Sequence, residues 1–210
     1  LTGLDIVDMK YPNARILLFC KTPIPWEVKT RLIPALGVDG ATALHEKLAS
    51  RIIECVEDSD LCPLEIWTYP DIDHPFFESA VAADTTSLHV QRGADLGQRM
   101  CYACGDAFVN RADEVLLIGS DCPQMDAAYL EGALLQLMDK DAVIGPANDG
   151  GYVLLGLRRP VGQLFFGIDW STSRVFAQTC QKMNCLDLDW DFLPPLFDID
   201  RPEDLARLGL

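Results

Sequence analysis

The chain has 210 residues, 49% of them hydrophobic, enough for one sizeable core and too short for two large domains. With 17 basic against 32 acidic residues its net charge is −15, a surface that repels nucleic acid and anionic membranes. Such a surface also repels a nucleotide, so any phosphate-binding site here needs local cations, a metal ion, or both.

In chain order, residues 1–13 form a lead-in with no marked pattern. Residues 15–20, Arg-Ile-Leu-Leu-Phe-Cys, predict a first buried strand. The loop 21–34 contains Pro23, Pro25 and Pro34, which forbid a regular helix through it. It carries Lys21, Lys29 and Arg31 beside a strand's carboxyl end. Phosphates dock there in doubly wound folds, although a solvated surface loop accounts for the same residues. Asp39 is placed to cap a helix with Ala41, Leu44, Leu48, Ile52 and Cys55 on one face. Residues 64–69 predict a second strand, 74–83 a short helix and 87–91 a third strand. In the segment 92–99, Gly93 and Gly97 allow close backbone approach to a ligand. Arg92, Gly93, Asp95 and Gly97 are its candidate phosphate contacts. Met100, Cys104, Ala107 and Phe108 then give a helix an apolar stripe that faces the core.

Residues 115–118 are a short unbroken apolar run ending in Gly119, Ser120, Asp121, Cys122 and Pro123. This predicts a central strand with a carboxylate at its carboxyl end, where ligands gather in open α/β sheets. Asp121 either holds a divalent cation against a nucleotide diphosphate or caps a turn. Asp126 caps the next helix, and residues 142–144 and 153–157 predict two further strands. Between them, Asn148, Asp149, Gly150 and Gly151 read as an ordinary hairpin turn or as a loop opening onto the site. In the second reading Asp149, Gly150, Gly151 and Tyr152 contact a substrate. Ser171 is expected to cap the following helix, with acceptor binding by Ser171 and Thr172 as the alternative. A last strand is expected near 186–188. In the tail, Asp200 and Glu203 have capping-box spacing with Pro202 early in the helix, whereas Asp198 has no such structural explanation.

Strands and helices alternate throughout, which predicts a single three-layer α/β/α domain over 1–210 with a mostly parallel sheet. The eight cysteines are scattered. Cys101-x-x-Cys104 lacks the second pair a zinc site needs, so reduced thiols in a cytoplasmic protein are expected. No signal peptide is visible, and no apolar run approaches the roughly 20 residues of a membrane span. The chain opens at Leu1 without a methionine, so a trimmed start is expected.

Six stretches together carry a family resemblance. They are Lys21-Thr-Pro with Val28-Lys-Thr-Arg-Leu32, Asp95-Leu-Gly-Gln-Arg-Met100, Gly119-Ser-Asp-Cys-Pro123, the run from Gly145 to Tyr152, Trp170-Ser-Thr172, and the run from Asp198 to Leu205. They span nearly the whole chain. The chain resembles the nucleotide-diphospho-sugar transferase superfamily, of glycosyltransferase-A type fold. Within it, the chain is similar to the bacterial selenodomain-associated, or arsenosugar biosynthesis, glycosyltransferases. The resemblance implies a nucleoside diphosphate or triphosphate bound with Mg²⁺ or Mn²⁺. It matches Asp121 to the metal-binding acid, Asp198 and Asp200 to a second metal-ligand position, and Lys29 and Arg31 to a basic pair in the first loop. Two departures stand out. Gly119-Ser120-Asp121 replaces the Asp-x-Asp of many glycosyltransferases, and Pro25-Trp26 stands where Pro-Gly is expected, the bulkier Trp26 being expected to narrow the loop.

The expected chemistry is metal-assisted group transfer from a nucleotide sugar to a small-molecule acceptor, with Asp121, Lys29 and Asp149 as catalytic candidates. Nucleotidyl transfer from a nucleoside triphosphate, releasing pyrophosphate, uses the same residues. A noncatalytic nucleotide-binding protein is the third reading. All three histidines read as structural or exposed, and the oligomeric state has no signature in the sequence.

Overall fold

The computed structural model describes residues 9–81 and 84–208. The first eight lead-in residues, Ala82 and Ala83 at the end of the expected short helix, and Gly209 and Leu210 lie outside the described residues. Seven strands form one sheet: β1 (Ala14–Lys21), β2 (Leu64–Tyr69), β3 (Thr86–Val90), β4 (Glu114–Gly119), β5 (Ala142–Pro146), β6 (Tyr152–Leu157) and β7 (Trp190–Phe192). Their order across the sheet is β3-β2-β1-β4-β6-β5-β7. Only β6 runs antiparallel, to both β4 and β5. The other pairings are parallel.

The helices are α1 (Ile33–Glu57), α2 (Pro75–Ala80), α3 (Leu96–Val109), α4 (Ala127–Leu137) and α5 (Val175–Cys185). Side chains alternate along a strand, so successive residues of β1 feed opposite faces. Ile16 and Leu18 pack with Ile52 and Ile53 of α1 and Leu130 and Leu134 of α4. Leu17 packs on the other face with Met100 and Ala103 of α3 and Met183 of α5. Each such fully buried leucine or isoleucine contributes about 1.5–3 kcal/mol. Because helices cover both faces, the central strands are apolar at nearly every position, which is the origin of their unbroken runs.

The order of strands reverses between β1 and β4, where β1 is flanked by β2 on one side and β4 on the other. A crevice opens at the carboxyl ends of these two strands. Lys21 closes β1, and Asp121 lies two residues beyond β4.

Four local expectations shift. Helix α1 begins at Ile33 rather than beside Asp39, because Pro34 sits in the first turn, where its missing N–H costs nothing. Gly37 (φ 71°, ψ 172°) then breaks the helix, and Asp39 falls in the turn that resumes after it. Ser171 does not cap α5; it adopts φ 65°, and Arg174 precedes the helix without a side-chain cap. The last strand comes later than 186–188, since Asp187 turns through φ 53° and Leu188 tucks into the core. In the tail, Asp204 rather than the Asp200 side chain caps the turn, accepting from the Asp200 and Arg201 amides at 3.2 and 2.8 Å.

Candidate functional site

The site is built from the loop after β1, the end of β4 and the C-terminal segment. In the first loop, Glu27 N donates to Ile24 O at 3.0 Å to close a turn. Trp26 (φ 71°) and Lys29 (φ 45°) are both left-handed without being glycine. The resulting reversal turns the Trp26 ring outward, 69% exposed, so it does not narrow the cleft. It carries Lys29 inward, where its side chain is 3% exposed. Lys29 Nζ lies 2.8 Å from Asp121 Oδ1 and donates to Ile199 O at 2.5 Å. Ile199 N in turn donates to Asp121 O at 3.0 Å. The tail is thereby stitched to the end of β4 by main chain and by one ammonium. Arg31 pairs with Asp200 beside this junction.

These groups face a cleft of about 980 Å³. Of the residues predicted from sequence, Lys21, Lys29, Arg31, Asp121, Asp149, Gly151, Tyr152, Ser171, Thr172, Asp198 and Asp200 line it. The 147–151 turn joins β5 to β6 as a hairpin, and its Asn148, Asp149 and Gly151 form a wall of the cleft. Asp149 Oδ1 accepts from Gly151 N at 2.8 Å, which fixes the carboxylate's orientation. Gly150 lies just behind the lining. Its φ is 91°, and a Cβ there would run into the Ser173 backbone. A side chain at 150 would separate the hairpin from the 171–173 turn and from α5, whose Phe176 N donates to Gly150 O at 2.9 Å. The Thr172 hydroxyl donates to Asp169 O at 2.7 Å, holding that turn closed.

In the segment 92–97, Arg92, Gly93, Asp95 and Gly97 are not brought to the cleft; of this segment and α3 only Leu96 and Met100 reach it. Each of its four predicted residues has a structural task instead. Arg92 lies over the Tyr102 ring, Gly93 (φ 145°) allows close approach to Gln98 and Arg99, and a Cβ at Gly97 would collide with Trp170. Asp95 caps α3 by accepting from Gln98 N at 2.8 Å, so the helix N-terminus already has its anion.

His45 is the site residue that sequence reasoning missed. It is buried on the inner face of α1, one helical turn beyond Ala41. A polar residue on that apolar stripe was the available signal. Nε2 donates to Lys21 O at 2.9 Å and lies 3.8 Å from Cys20 Sγ, while Nδ1 lies 3.8 Å from Asp121 Oδ1. Burial opposes its protonation, but neighbouring Asp121 and Cys20 outweigh burial and push its pKa up to about 10. Burial likewise works against an ionised Asp121, yet the Lys29 charge, with help from His45, holds that carboxyl well below the usual range.

The cleft lining includes five lysines and arginines against seven aspartates and glutamates. An anionic ligand entering the cleft would therefore meet a net negative surface, and a divalent cation would cancel the difference. Asp198 shows the same imbalance. Burial, then Asp149, with Asp121 and Asp200, push its carboxyl up to about 6. Asp121 is 44% exposed toward the cleft. Among the described residues, no three histidine, cysteine, aspartate or glutamate side chains form a ready metal cage. Two carboxylates with room for phosphate oxygens and water fit Mg²⁺ or Mn²⁺, which seldom use an all-protein cage. Asp121 and Asp198 fit that set, and Asp200 is engaged by Arg31.

Comparison with known proteins agrees with this architecture. The family described as "Uncharacterized protein conserved in bacteria (DUF2064)" matches residues 52–172. No curated protein matches the chain. Among solved structures, a Desulfovibrio desulfuricans G20 protein provisionally described as a nucleotide-diphospho-sugar transferase superposes with a TM-score of 0.86 at 36% identity, over 93% of this chain and 86% of the other. The CMP:2-keto-3-deoxy-manno-octonic acid synthetase bound to CTP gives 0.57 at 13% identity, over 93% and 96% of the two chains. Glucosyl-3-phosphoglycerate synthase from Mycobacterium tuberculosis, with Mn²⁺, UDP and glucosyl-3-phosphoglycerate, gives 0.56 at 12% identity, over 93% and 74%. The last two likenesses concern the fold alone.

Proposed function

The chain belongs to the nucleotide-diphospho-sugar transferase superfamily, in the bacterial family DUF2064, and on that premise we propose that it transfers a sugar from a nucleoside-diphosphate donor to a small-molecule acceptor with the help of Mg²⁺ or Mn²⁺. The observation that carries the reading is the junction at the end of β4. There Asp121, the tail segment bearing Asp198, and the ammonium of Lys29 meet in one cleft at the strand-order reversal. Asp121 and Asp198 are the residues that would hold the ion, which supplies positive charge to the departing diphosphate when bound.

The chain's own groups do the rest. Lys21 and Arg31 orient the phosphates from the first loop, and a preorganised cation of this kind is worth roughly 3 kcal/mol at the transition state. His45 fixes the loop by binding the Lys21 carbonyl and backs Asp121 from beneath. Asp149, held by the Gly151 amide, faces the cleft as acceptor contact or proton acceptor. The 171–173 turn closes the wall beside it, offering Ser171 to the acceptor.

The test is incubation with a panel of nucleotide sugars and nucleoside triphosphates plus Mn²⁺. Release of a nucleoside diphosphate supports sugar transfer. Release of pyrophosphate instead assigns nucleotidyl transfer to the same residues. Absence of metal-dependent nucleotide binding would remove the chemistry altogether.

A further inference from the structure

We infer that Lys29 is a tethered counter-ion that competes with the divalent cation for Asp121 and, once displaced, is handed to the donor's phosphates. This inference rests on the metal reading of the cleft given above. Its ground is the position of the ammonium. Lys29 Nζ takes up Asp121 Oδ1 at 2.8 Å and has the Ile199 carbonyl at 2.5 Å as its other close partner. Asp121 is the cleft carboxylate that follows the central strand, and Lys29 itself lines the cleft. A hard divalent ion takes a carboxylate oxygen directly, at about 2.1 Å. A divalent ion on either oxygen of that carboxylate would lie within about 4–5 Å of the Lys29 ammonium, and the two charges repel, which favours the state in which one of them has moved away.

Lys29 is the group able to move. Its backbone is left-handed at φ 45°, ψ 38°, a conformation a lysine adopts only under strain, and it belongs to a connecting loop rather than to the sheet. Its side chain is four carbons long and can swing its ammonium to another anion in the cleft once the ion pair breaks. Asp121, by contrast, is fixed from behind, by the Ile199 amide on its carbonyl and by His45 beside its carboxylate. A displaced Lys29 ammonium stays in the cleft, where an incoming diphosphate brings a multiply charged anion for it to pair with. The docked lysine therefore shields Asp121 from its own neighbouring carboxylates in the empty protein and becomes a phosphate ligand in the loaded one.

The inference demands effects of opposite sign from one substitution. Mn²⁺ alone is titrated into the wild type, Lys29→Met, Lys29→Gln and Lys29→Arg, with free Mn²⁺ read by electron paramagnetic resonance. Inorganic pyrophosphate is then titrated into each Mn²⁺-saturated protein by calorimetry. Removing the charge raises Mn²⁺ affinity about two- to five-fold, the scale of one charge pair at a half-exposed carboxylate. It lowers pyrophosphate affinity at least as much. Lys29→Arg keeps the Mn²⁺ affinity near that of the wild type. Lys29→Gln preserves a polar contact to the Ile199 carbonyl and carries the same expectation should Lys29→Met fold poorly. Unchanged or weakened Mn²⁺ binding in both neutral variants overturns this inference and leaves the metal reading standing. No Mn²⁺ binding by any form overturns both.

Discussion

Asp198→Asn separates two effects of one carboxylate. The Asp198 side chain is half-buried and faces Asp149, Asp121 and Asp200, with burial the largest cause of its raised pKa. Its pKa in the folded chain is about 6, against an ordinary 3.8. That gap corresponds to about 3 kcal/mol for a fully buried group, and partial exposure reduces it to about 1–2 kcal/mol. Because the folded pKa is the higher, the native state holds more protons than the unfolded chain between these values. Stability therefore falls as pH rises through that window, and the penalty is complete above about pH 7. Asparagine carries no such penalty. The metal-free variant should melt about 2–8 °C above wild type at pH 7.5, at about 2–4 °C per kcal/mol for a chain of this size. The two curves should converge near pH 4. Saturating Mn²⁺ should reverse the order, since only the wild type keeps both carboxylates, and a ligand at a hundred times its Kd adds about 2.7 kcal/mol. Differential scanning calorimetry across pH 4–8, with and without Mn²⁺, reads all three effects. A variant that melts below wild type at pH 7.5 without metal refutes the account of crowded carboxylates.

Three further outcomes are expected. Asp121→Asn should abolish metal-dependent nucleotide binding in calorimetry while the fold persists; because Lys29 loses its anion, chemical denaturation should also show a loss of about 2 kcal/mol, and undiminished nucleotide affinity would contradict the metal role. Trp26→Gly should stabilise the chain by about 0.5–1 kcal/mol, the relief of a left-handed conformation less the flexibility of glycine, because an exposed ring gives up few contacts; a lower melting temperature would refute this. Gly150→Ala should cost at least about 2 kcal/mol and disturb acceptor use before nucleotide binding, because its Cβ meets the Ser173 backbone; denaturation midpoints matching those of wild type would show that the two walls are not in contact.

Features whose cause is local were legible in the sequence. The unbroken runs in β1 and β4 come from burial on both faces, and the Asp126 cap is set by the Tyr129 amide three residues away. The alternation of these elements carries the layered fold with it, and so places Asp121 at a strand's carboxyl end. Family resemblance added the tail aspartates, which no spacing would have joined to Asp121.

Features decided by partners distant in sequence were not legible. The direction of β6 depends on which strands flank it, and its apolar run is the same whether β4 and β5 lie parallel or antiparallel to it. The glycines of 92–97 look like a phosphate loop locally, but their neighbours are Trp170 and the first turn of α3. His45 reads as part of a helix stripe until the fold sets that stripe against Lys21 and Asp121. Asp200 matches a capping box by spacing, yet Arg31 takes its carboxylate. The sequence alone determined the periodicity of strands and helices and the Asp126 cap, because these depend on neighbours a few residues apart. Tertiary structure alone decided which charges face one another, because a salt bridge depends on separation in space, and packing sets that separation without regard to position along the chain.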